Sequence, residues 1–361
     1  MTRDNHGQDS AHLEAIDLLP LSENPLVSVL ISSYNYESFV GKSIQSVLDQ
    51  TFRNFELIIC DDGSIDSSIE IIRTFLDDSR IRLIQKGNGG QASALNAAYE
   101  VAKGEIICLL DSDDVFCSRK LEQVVAAFAG ALQCGLCIHK VRLVSEKLKP
   151  ISPPFPMSLE SGWIGPRALG EGAHSQRIPQ TLGLSFREAV ATHLFPMPVQ
   201  FRTSPDAFLV RAAFFITNIV SVNDVLALYR VHGANILGMY NPSAEAAKFV
   251  IDDALKYTQA LRVFLKLTYG ESVSSRLKIE DSPTYWNNLL AYHILEGEIR
   301  YDVQLDDVRE MVGKLPKGRN RYIWWVLVRM PRFLAKPFFK FWWGKSRFRR
   351  FTRKLIYHTN W

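Results

Sequence analysis

Asp111-Ser112-Asp113-Asp114 places three carboxylates within four residues, directly after the apolar run Ile106-Ile107-Cys108-Leu109-Leu110. Anions this close repel one another unless a cation or hydrogen-bond donors offset them. Oxygen ligands of this kind suit Mg²⁺ or Mn²⁺, ions that in turn bridge phosphate oxygens, so the string points to handling of a phosphorylated substrate. An Asp-x-Asp string is common by chance, and its place at the end of an apolar run is what gives it weight. Three further polar groups sit in equivalent places: Ser32-Ser33-Tyr34-Asn35, Asp61-Asp62-Gly63-Ser64 and Lys86-Gly87-Asn88-Gly89-Gly90. Each alone has the composition of an ordinary turn or helix cap. Four on one edge of a sheet would form a binding rim.

The elements that must position them follow from periodicity. Leu26 to Ile31, Phe55 to Cys60, Ile81 to Gln85 and Glu105 to Leu110 are short β-rich runs. Between them, Ser38 to Gln50, the stretch marked by Ile69, Ile72 and Leu76, and Gln91 to Ala102 carry helical spacing. Strands alternating with helices imply an α/β fold, a mostly parallel sheet with helices on both faces. Ligands of such sheets bind beyond the carboxyl ends of the strands. Residues 131–235 lack this rhythm; a Pro-rich break falls at Pro150, Pro153, Pro154 and Pro156, and Gly162 to Gly172 is expected to form a long loop. Helices are expected again over Ser243 to Thr268 and from Ser282-Pro283, a cap followed by proline at the first helical position, through Glu298. No internal repeat is present.

With 361 residues, 47% hydrophobic and 22% charged, the chain can bury a sizeable core, which excludes disordered and collagen-like classes. No apolar run approaches the roughly 18 to 20 residues of a membrane-spanning helix. Residues 1–24 are expected to be a flexible leader without a secretory signal, which implies a cytoplasmic address. Five cysteines do not suggest a disulfide framework. Cys134, Cys137 and His139 invite a zinc reading, but a second ligand pair at finger spacing is missing. Charge is uneven: from residue 311 onward there are 14 Lys and Arg and no Asp or Glu, together with 13 aromatic residues. That places a composition boundary near residue 312. Arg329, Arg332, Lys336 and Lys340 at helical spacing suit an interfacial helix on anionic lipid, at the inner face of the cell membrane. The alternatives are aromatic packing on the body of the protein and, least favoured, nucleic acid; no nucleic-acid partner is expected.

Several motifs carry a resemblance: Val27 to Tyr34, Ser43-Ile44 through Gln50-Thr51-Phe52, Asp61-Asp62-Gly63-Ser64, Asn88-Gly89-Gly90 with Ala94-Leu95-Asn96, Gly104-Glu105-Ile106-Ile107 and Leu110 to Asp114. In order and spacing, over about 90 residues, they resemble the family 2 glycosyltransferases of GT-A fold. Weaker similarity continues through Ser185 to Glu188, Ser204 to Leu209 and Leu228 to Gly233. The resemblance implies a GT-A domain with a nucleotide-sugar-binding half at 25–130 and an acceptor-binding half at 131–235, a helical C-terminal extension at 236–312 and the basic aromatic tail at 313–361. It implies a nucleotide-sugar donor, UDP-linked in first place, and a glycan or lipid-linked acceptor. Ser32 and Tyr34 would line the base pocket, Asp62 would accept from the base, and Asp111 would face the ribose. Asp113 would hold Mn²⁺ or Mg²⁺ with His232 approaching the metal or diphosphate, and Lys86 would add charge beside the phosphates. Family members commonly carry Glu-Asp where this chain has Pro205-Asp206, so the base that takes the acceptor proton falls to Asp206, whose competing role is a helix cap. Two rival functions fit parts of the pattern. Asp111 to Val115 also matches the Asp-x-Asp-x-Val of haloacid-dehalogenase-type phosphatases, and the absent Glu allows a catalytically inactive sugar-nucleotide-binding module.

Overall fold

A computed structural model describes residues 12–173, 178–233, 243–296 and 308–343. Readings placed on residues 1–11 or beyond Trp343 lie outside the described residues. The apolar runs form strands β1 (Val27–Ser33), β2 (Phe55–Asp61), β3 (Ile81–Gln85), β4 (Ile106–Asp111), β5 (Val115–Phe116), β6 (Cys134–Ser145), β7 (Leu184–Arg187) and β8 (Asn218–Val231). They build one sheet in the order β3-β2-β1-β4-β7-β6-β8-β5. The helices are α1 (Val40–Leu48), α2 (Ser68–Arg73), α3 (Gln91–Glu100), α4 (Lys120–Gly130), α5 (Gly165–Gly170), α6 (Glu188–Leu194), α7 (Asp206–Ala213), α8 (Ala244–Tyr269), α9 (Glu271–Ser274), α10 (Pro283–Glu296), α11 (Val308–Lys314), α12 (Arg319–Leu327) and α13 (Arg332–Trp343). The described residues divide into two compact units, the first within 1–168, 176–232 and 260–274, the second within 169–175, 233–259 and 275–361.

The first half of the sheet follows the strand–helix alternation. β1 pairs in parallel with β2 and with β4, and β2 with β3. Val29, Ile31, Leu57, Ile59, Cys108 and Leu110 are buried beneath Val40, Ile44 and Val47 of α1 and Leu121, Val124 and Phe128 of α4. Beyond β4 the sheet is mixed: β7 runs antiparallel to β4 and to β6, and β5 antiparallel to β8, while β6 and β8 pair in parallel. Keeping neighbours parallel needs a crossover helix between them. The chain after residue 131 lacks that regular alternation, so β7 joins its neighbours antiparallel, while the long connection from β6 to β8 lets those two pair in parallel.

Three expectations are corrected. Gly162 to Gly172 is not a continuous loop, because Gly165–Gly170 is helical. Ile164, Ala168 and Leu169, four and five residues apart, are buried, and that apolar spacing outweighs the glycines. The described part of the leader, from residue 12, is docked rather than flexible. Ile16 N–H donates to the Ile216 carbonyl at 2.8 Å, Leu18 is buried, and the Tyr269 hydroxyl donates to the Glu14 carbonyl at 2.7 Å. The boundary near 312 is also not a structural one. Met311 and Val312 of α11, Trp324 and Leu327 of α12, and Ala335 and Phe339 of α13 share one core with Trp286, Leu289 and Leu290 of α10.

Ser282 caps α10 as its sequence signal implies, and Ser243 does the same for α8. Ser243 Oγ accepts from Ala246 N–H at 3.1 Å and Ser282 Oγ from Tyr285 N–H at 3.3 Å. The tail helices are tied to α10 by polar contacts as well. Trp324 Nε1 donates to Asn287 Oδ1 at 2.7 Å, and Arg332 donates to the Ile294 and Leu295 carbonyls at the end of α10. None of the described helices is long and apolar enough to cross a membrane. Trp324→Ala empties the middle of this core and strands Asn287. It should cost about 3 to 5 kcal/mol of stability, read from denaturant unfolding; a loss under about 1 kcal/mol would mean that α12 is not held by this core.

Candidate active site

Register brings the four polar groups to one rim. Ser33 lies level with Asp61, Ser32 with Asp111, and Asp61 with Gln85, so the carboxyl ends of β1 to β4 finish side by side. The loops after β1 and β2 are then laced together. Asn35 N–H donates to Ser64 Oγ, and Ile65 N–H donates back to Asn35 Oδ1, both at 2.9 Å. Asn35 holds a positive φ of 56°, a conformation that asparagine tolerates better than most side chains. Tyr36 N–H reaches Ser68 Oγ at 2.9 Å and Glu37 N–H reaches Asp66 at 3.0 Å.

The two neighbouring aspartates after β2 have separate structural tasks. Asp61 folds the turn by accepting from Gly63 N–H, Ser64 N–H and Ser64 Oγ. Asp62, buried, accepts from Gly89 N–H and from Gly90 N–H, the latter at 2.6 Å, and from Lys86 Nζ at 2.7 Å. Lys86 therefore sits against Asp62, and it also donates to the Gly87 carbonyl. The sequence places it beside phosphates; in the structure its charge offsets that of a buried carboxylate. Gly90 has a φ of +90°, and a Cβ there would come within 2.7 Å of Arg202 Cα, so only glycine lets the 201–204 segment pack so closely.

That close approach is what joins distant parts of the acidic cluster. Gln91, the first residue of α3, donates from its backbone to the Arg202 carbonyl at 2.9 Å. Its side chain donates to Asp111 Oδ1 at 2.6 Å and accepts from Ser204 N–H at 3.1 Å. One glutamine thus links Asp111 to the turn that starts α7 and presents Asp206. Thr181 adds a second link, lying close enough to both carboxylates for its hydroxyl to lower Asp111 and Asp206. A single hydroxyl proton serves only one of the two carboxylates at a time. The Thr181 turn is held from below by Lys120, whose buried Nζ donates to the Leu182 carbonyl at 2.7 Å and lies 3.6 Å from the Phe116 ring centroid.

On the other side of the Asp111 to Asp114 turn, Ser43 Oγ reaches the Ser112 and Asp114 carbonyls at 2.8 and 2.6 Å. Arg230, buried in β8, donates from Nε to the Asp113 carbonyl at 2.6 Å, and its N–H donates to Asp114 Oδ1 at 2.7 Å. Asp114 is accordingly structural. His232 follows β8 directly, stacks on Phe39 with centroids 4.7 Å apart, and brings Nε2 to 2.9 Å from Asp113 Oδ2. The structure so brings Asp111, Asp113, Asp206 and His232 together, with Ser32 beside Asp111 in register and Tyr34 exposed on the rim. Gln91 and Thr181 were missed. Gln91 had a signal, since it follows Asn88-Gly89-Gly90 at a helix start, whereas nothing in the sequence ties Thr181 to Asp111 70 positions away.

The electrostatics are those of crowded anions. Burial, with Asp113 and Asp206 adding repulsion, pushes the Asp111 carboxyl up to about 8. Burial also raises Asp206, against the hydrogen bonds from Thr181, and raises Asp114, beside Asp113 and Asp111. A divalent cation would relieve this repulsion. Asp113 could supply oxygen and His232 nitrogen to such an ion; among the described residues no group of three or more His, Cys, Asp or Glu side chains is arranged to hold a metal, so these two would be the protein's ligands. Mg²⁺ and Mn²⁺ are commonly held in this way, by one or two carboxylates plus phosphate oxygens and water. In the sheet core, by contrast, Cys137 and His139 are buried, and His139 Nδ1 faces the Lys140 carbonyl.

Comparison with known proteins agrees with this geometry. The profile of the family described as Glycosyl transferase family 2 matches residues 28–152, which contain the first four strands and the Asp111 to Asp114 turn. An uncharacterized glycosyltransferase of Nostoc sp. is 32% identical over 212 residues, 58% of this chain and 66% of its own length. The Escherichia coli UDP-Glc:α-D-GlcNAc-diphosphoundecaprenol β-1,3-glucosyltransferase WfgD is 43% identical over 102 residues, 28% of this chain and 40% of its own. The chain thus spans less than two thirds of either relative. Staphylococcus aureus TarS 1–349, solved with UDP-GlcNAc, superposes over 80% of this chain and 83% of its own at a TM-score of 0.50 and 17% identity, which shows the shared GT-A fold.

Two measurements check the scaffold. Gln91→Met conserves volume but frees Ser204 N–H and Asp111. It should cost about 1 to 3 kcal/mol and speed amide exchange at Ser204, while Lys86→Met leaves that amide protected; equal exchange in both variants would remove Gln91 from its linking role. Burial lowers the Lys120 ammonium from 10.5 to about 8, so above pH 8 the folded chain has shed a proton that the unfolded chain keeps. Stability should therefore rise with pH from about 8 toward 10, and Lys120→Met should flatten that slope in unfolding curves.

Proposed function

We propose that this chain, which through residues 28–152 belongs to glycosyl transferase family 2, moves a sugar from a nucleotide-sugar donor to an acceptor hydroxyl with inversion at the anomeric carbon. The observation that carries the reading is the convergence of Asp111, Asp113, Asp206 and His232 at the carboxyl edge of a sheet whose neighbouring loops are already laced into a rim. Asp113 and His232 would hold Mn²⁺ or Mg²⁺, which when bound supplies positive charge to the departing diphosphate. Ser32 and Tyr34 flank the nucleoside from the end of β1. Asp62 shapes the pocket wall by holding Gly89 and Gly90, with Lys86 balancing its charge. Asp111 faces the ribose from a position that Gln91 and Thr181 make rigid.

Asp206 takes the acceptor proton. Its raised carboxyl makes it a stronger base than an exposed aspartate, and its tie to Thr181 keeps it oriented toward the Asp111 side of the site. The start of α7 shows no side-chain cap, and Ala207 N–H donates to the Ser204 carbonyl at 3.2 Å. A UDP-linked sugar is the first donor to test, as in the named activity of the E. coli relative and the ligand of the Staphylococcus structure. The same relative's name makes a lipid-linked acceptor in glycan assembly the leading choice, ahead of a free glycan. The phosphatase reading has no support here, since the Asp111 string belongs to the matched family segment and follows three strand–helix units.

A panel of UDP-, GDP- and dTDP-sugars, with and without Mn²⁺, should show one nucleotide class that raises the melting temperature, because a ligand bound only by the native state stabilises it. Asp113→Ala should abolish the Mn²⁺-dependent part of that shift and all transfer while the apo protein stays folded. Asp206→Asn should lower turnover by about 10² or more with donor affinity within a few fold. Unchanged turnover in Asp206→Asn would reduce the residue to a cap, and donor binding without transfer across lipid-linked and free acceptors would favour an inactive binding module.

A further inference from the structure

The second unit carries a surface that the proposed reaction does not use. Helices α12 and α13 each bury one side, through Trp324, Leu327, Ala335 and Phe339. The opposite sides hold large apolar groups in water: Tyr322 is 67% exposed, Trp325 46%, Phe333 75% and Leu334 50%. The rings of Tyr322 and Trp325 stack at 6.1 Å, and the Arg329 guanidinium lies 3.7 Å over Trp325. Lys317, Arg329, Arg332 and Lys340 are exposed around them, and no Asp or Glu occurs from residue 311 to the end of the chain.

This pairing selects one occupant. An apolar protein partner would leave the lysines without counter-charge, and an acidic one would leave the phenylalanine and leucine without an apolar surface to enter. A bilayer with anionic headgroups supplies both in the required order, with phosphates at the level of the cations and acyl chains beneath them. Trp and Tyr settle at headgroup level, and long basic side chains keep their charge in the polar layer while their stems cross apolar ground. The buried sides of α12 and α13 anchor the helices to α10, so the exposed sides are displayed by a folded core.

We infer that the exposed sides of α12 and α13 form a docking surface for an anionic lipid bilayer, holding the protein as a peripheral and reversible partner of the membrane. The inference stands on the second unit alone and adds a partner to the transferase reading.

Co-sedimentation of the full chain with vesicles decides it. Binding to an equimolar mixture of phosphatidylcholine and phosphatidylglycerol should exceed binding to phosphatidylcholine alone, and salt should weaken it in part by screening the charges and leaving apolar insertion in place. The triple variant Trp325→Ser, Phe333→Ser, Leu334→Ser should bind the mixed vesicles about tenfold more weakly or worse. Its melting temperature and its stabilisation by nucleotide sugar should equal those of the parent. Lys336→Gln with Lys340→Gln should lose binding to the mixed vesicles and leave any residual binding to neutral ones unchanged. No binding of the parent to mixed vesicles, or equal binding by the triple variant, overturns the inference. So does a dimer in light scattering that the triple variant converts to monomer without any vesicle binding, which would assign the surface to a second copy. Failure of every nucleotide sugar to bind while vesicle binding persists would overturn the transferase reading and leave this one standing.

Discussion

Mutual repulsion of carboxylates at the end of β4 is the constraint to which the rest of the first unit answers. Asp111, Asp113, Asp114 and Asp206 are gathered in one place, and burial with mutual repulsion raises the carboxyls of Asp111, Asp114 and Asp206. The surroundings oppose that tendency with directed donors. Arg230 is threaded beneath the turn, Ser43 clamps its carbonyls, Gln91 and Thr181 hold Asp111 against Asp206, and Lys120 holds Thr181. Asp113 meets the His232 ring, and burial with the neighbouring acids raises the Asp111 carboxyl.

The same logic explains the division of labour between paired residues that look alike in sequence. Asp61 and Asp62 are neighbours, yet one folds its own turn and the other holds a loop 27 residues away. Asp113 and Asp114 are neighbours, yet one meets His232 and the other the backbone of Arg230. Side chains of consecutive residues leave the chain in different directions, so a run of acids at a strand end serves the scaffold and the site at once.

In the second unit the decisive force is apolar burial. The basic tail looks by composition like a separate element, yet its helices have two different sides. Trp324 and Phe339 pack on α10 as aromatics docking on the protein would, while Trp325 and Phe333 face solvent as an interfacial helix requires. A helix has two sides, and composition summed over the segment averages them.

Much of the first four strands, the caps at Ser243 and Ser282, and the rim residues Ser32, Asp111 and Asp113 could be read from the sequence, because strand period, turn chemistry and capping depend on neighbours within a few positions. The same holds for the family match over residues 28–152, whose motifs are local strings in order. Only the tertiary structure decided that Lys86 faces Asp62, that Gln91 and Thr181 join Asp111 to Asp206, that the sheet turns antiparallel at β7, and that residues 311–339 belong to the core of α10. Those contacts connect residues tens of positions apart, and the sequence carries no distance between them. They exist because packing the sheet and helices brings particular donors within hydrogen-bond reach of buried carboxylates, where an unpaired charge would be too costly to keep.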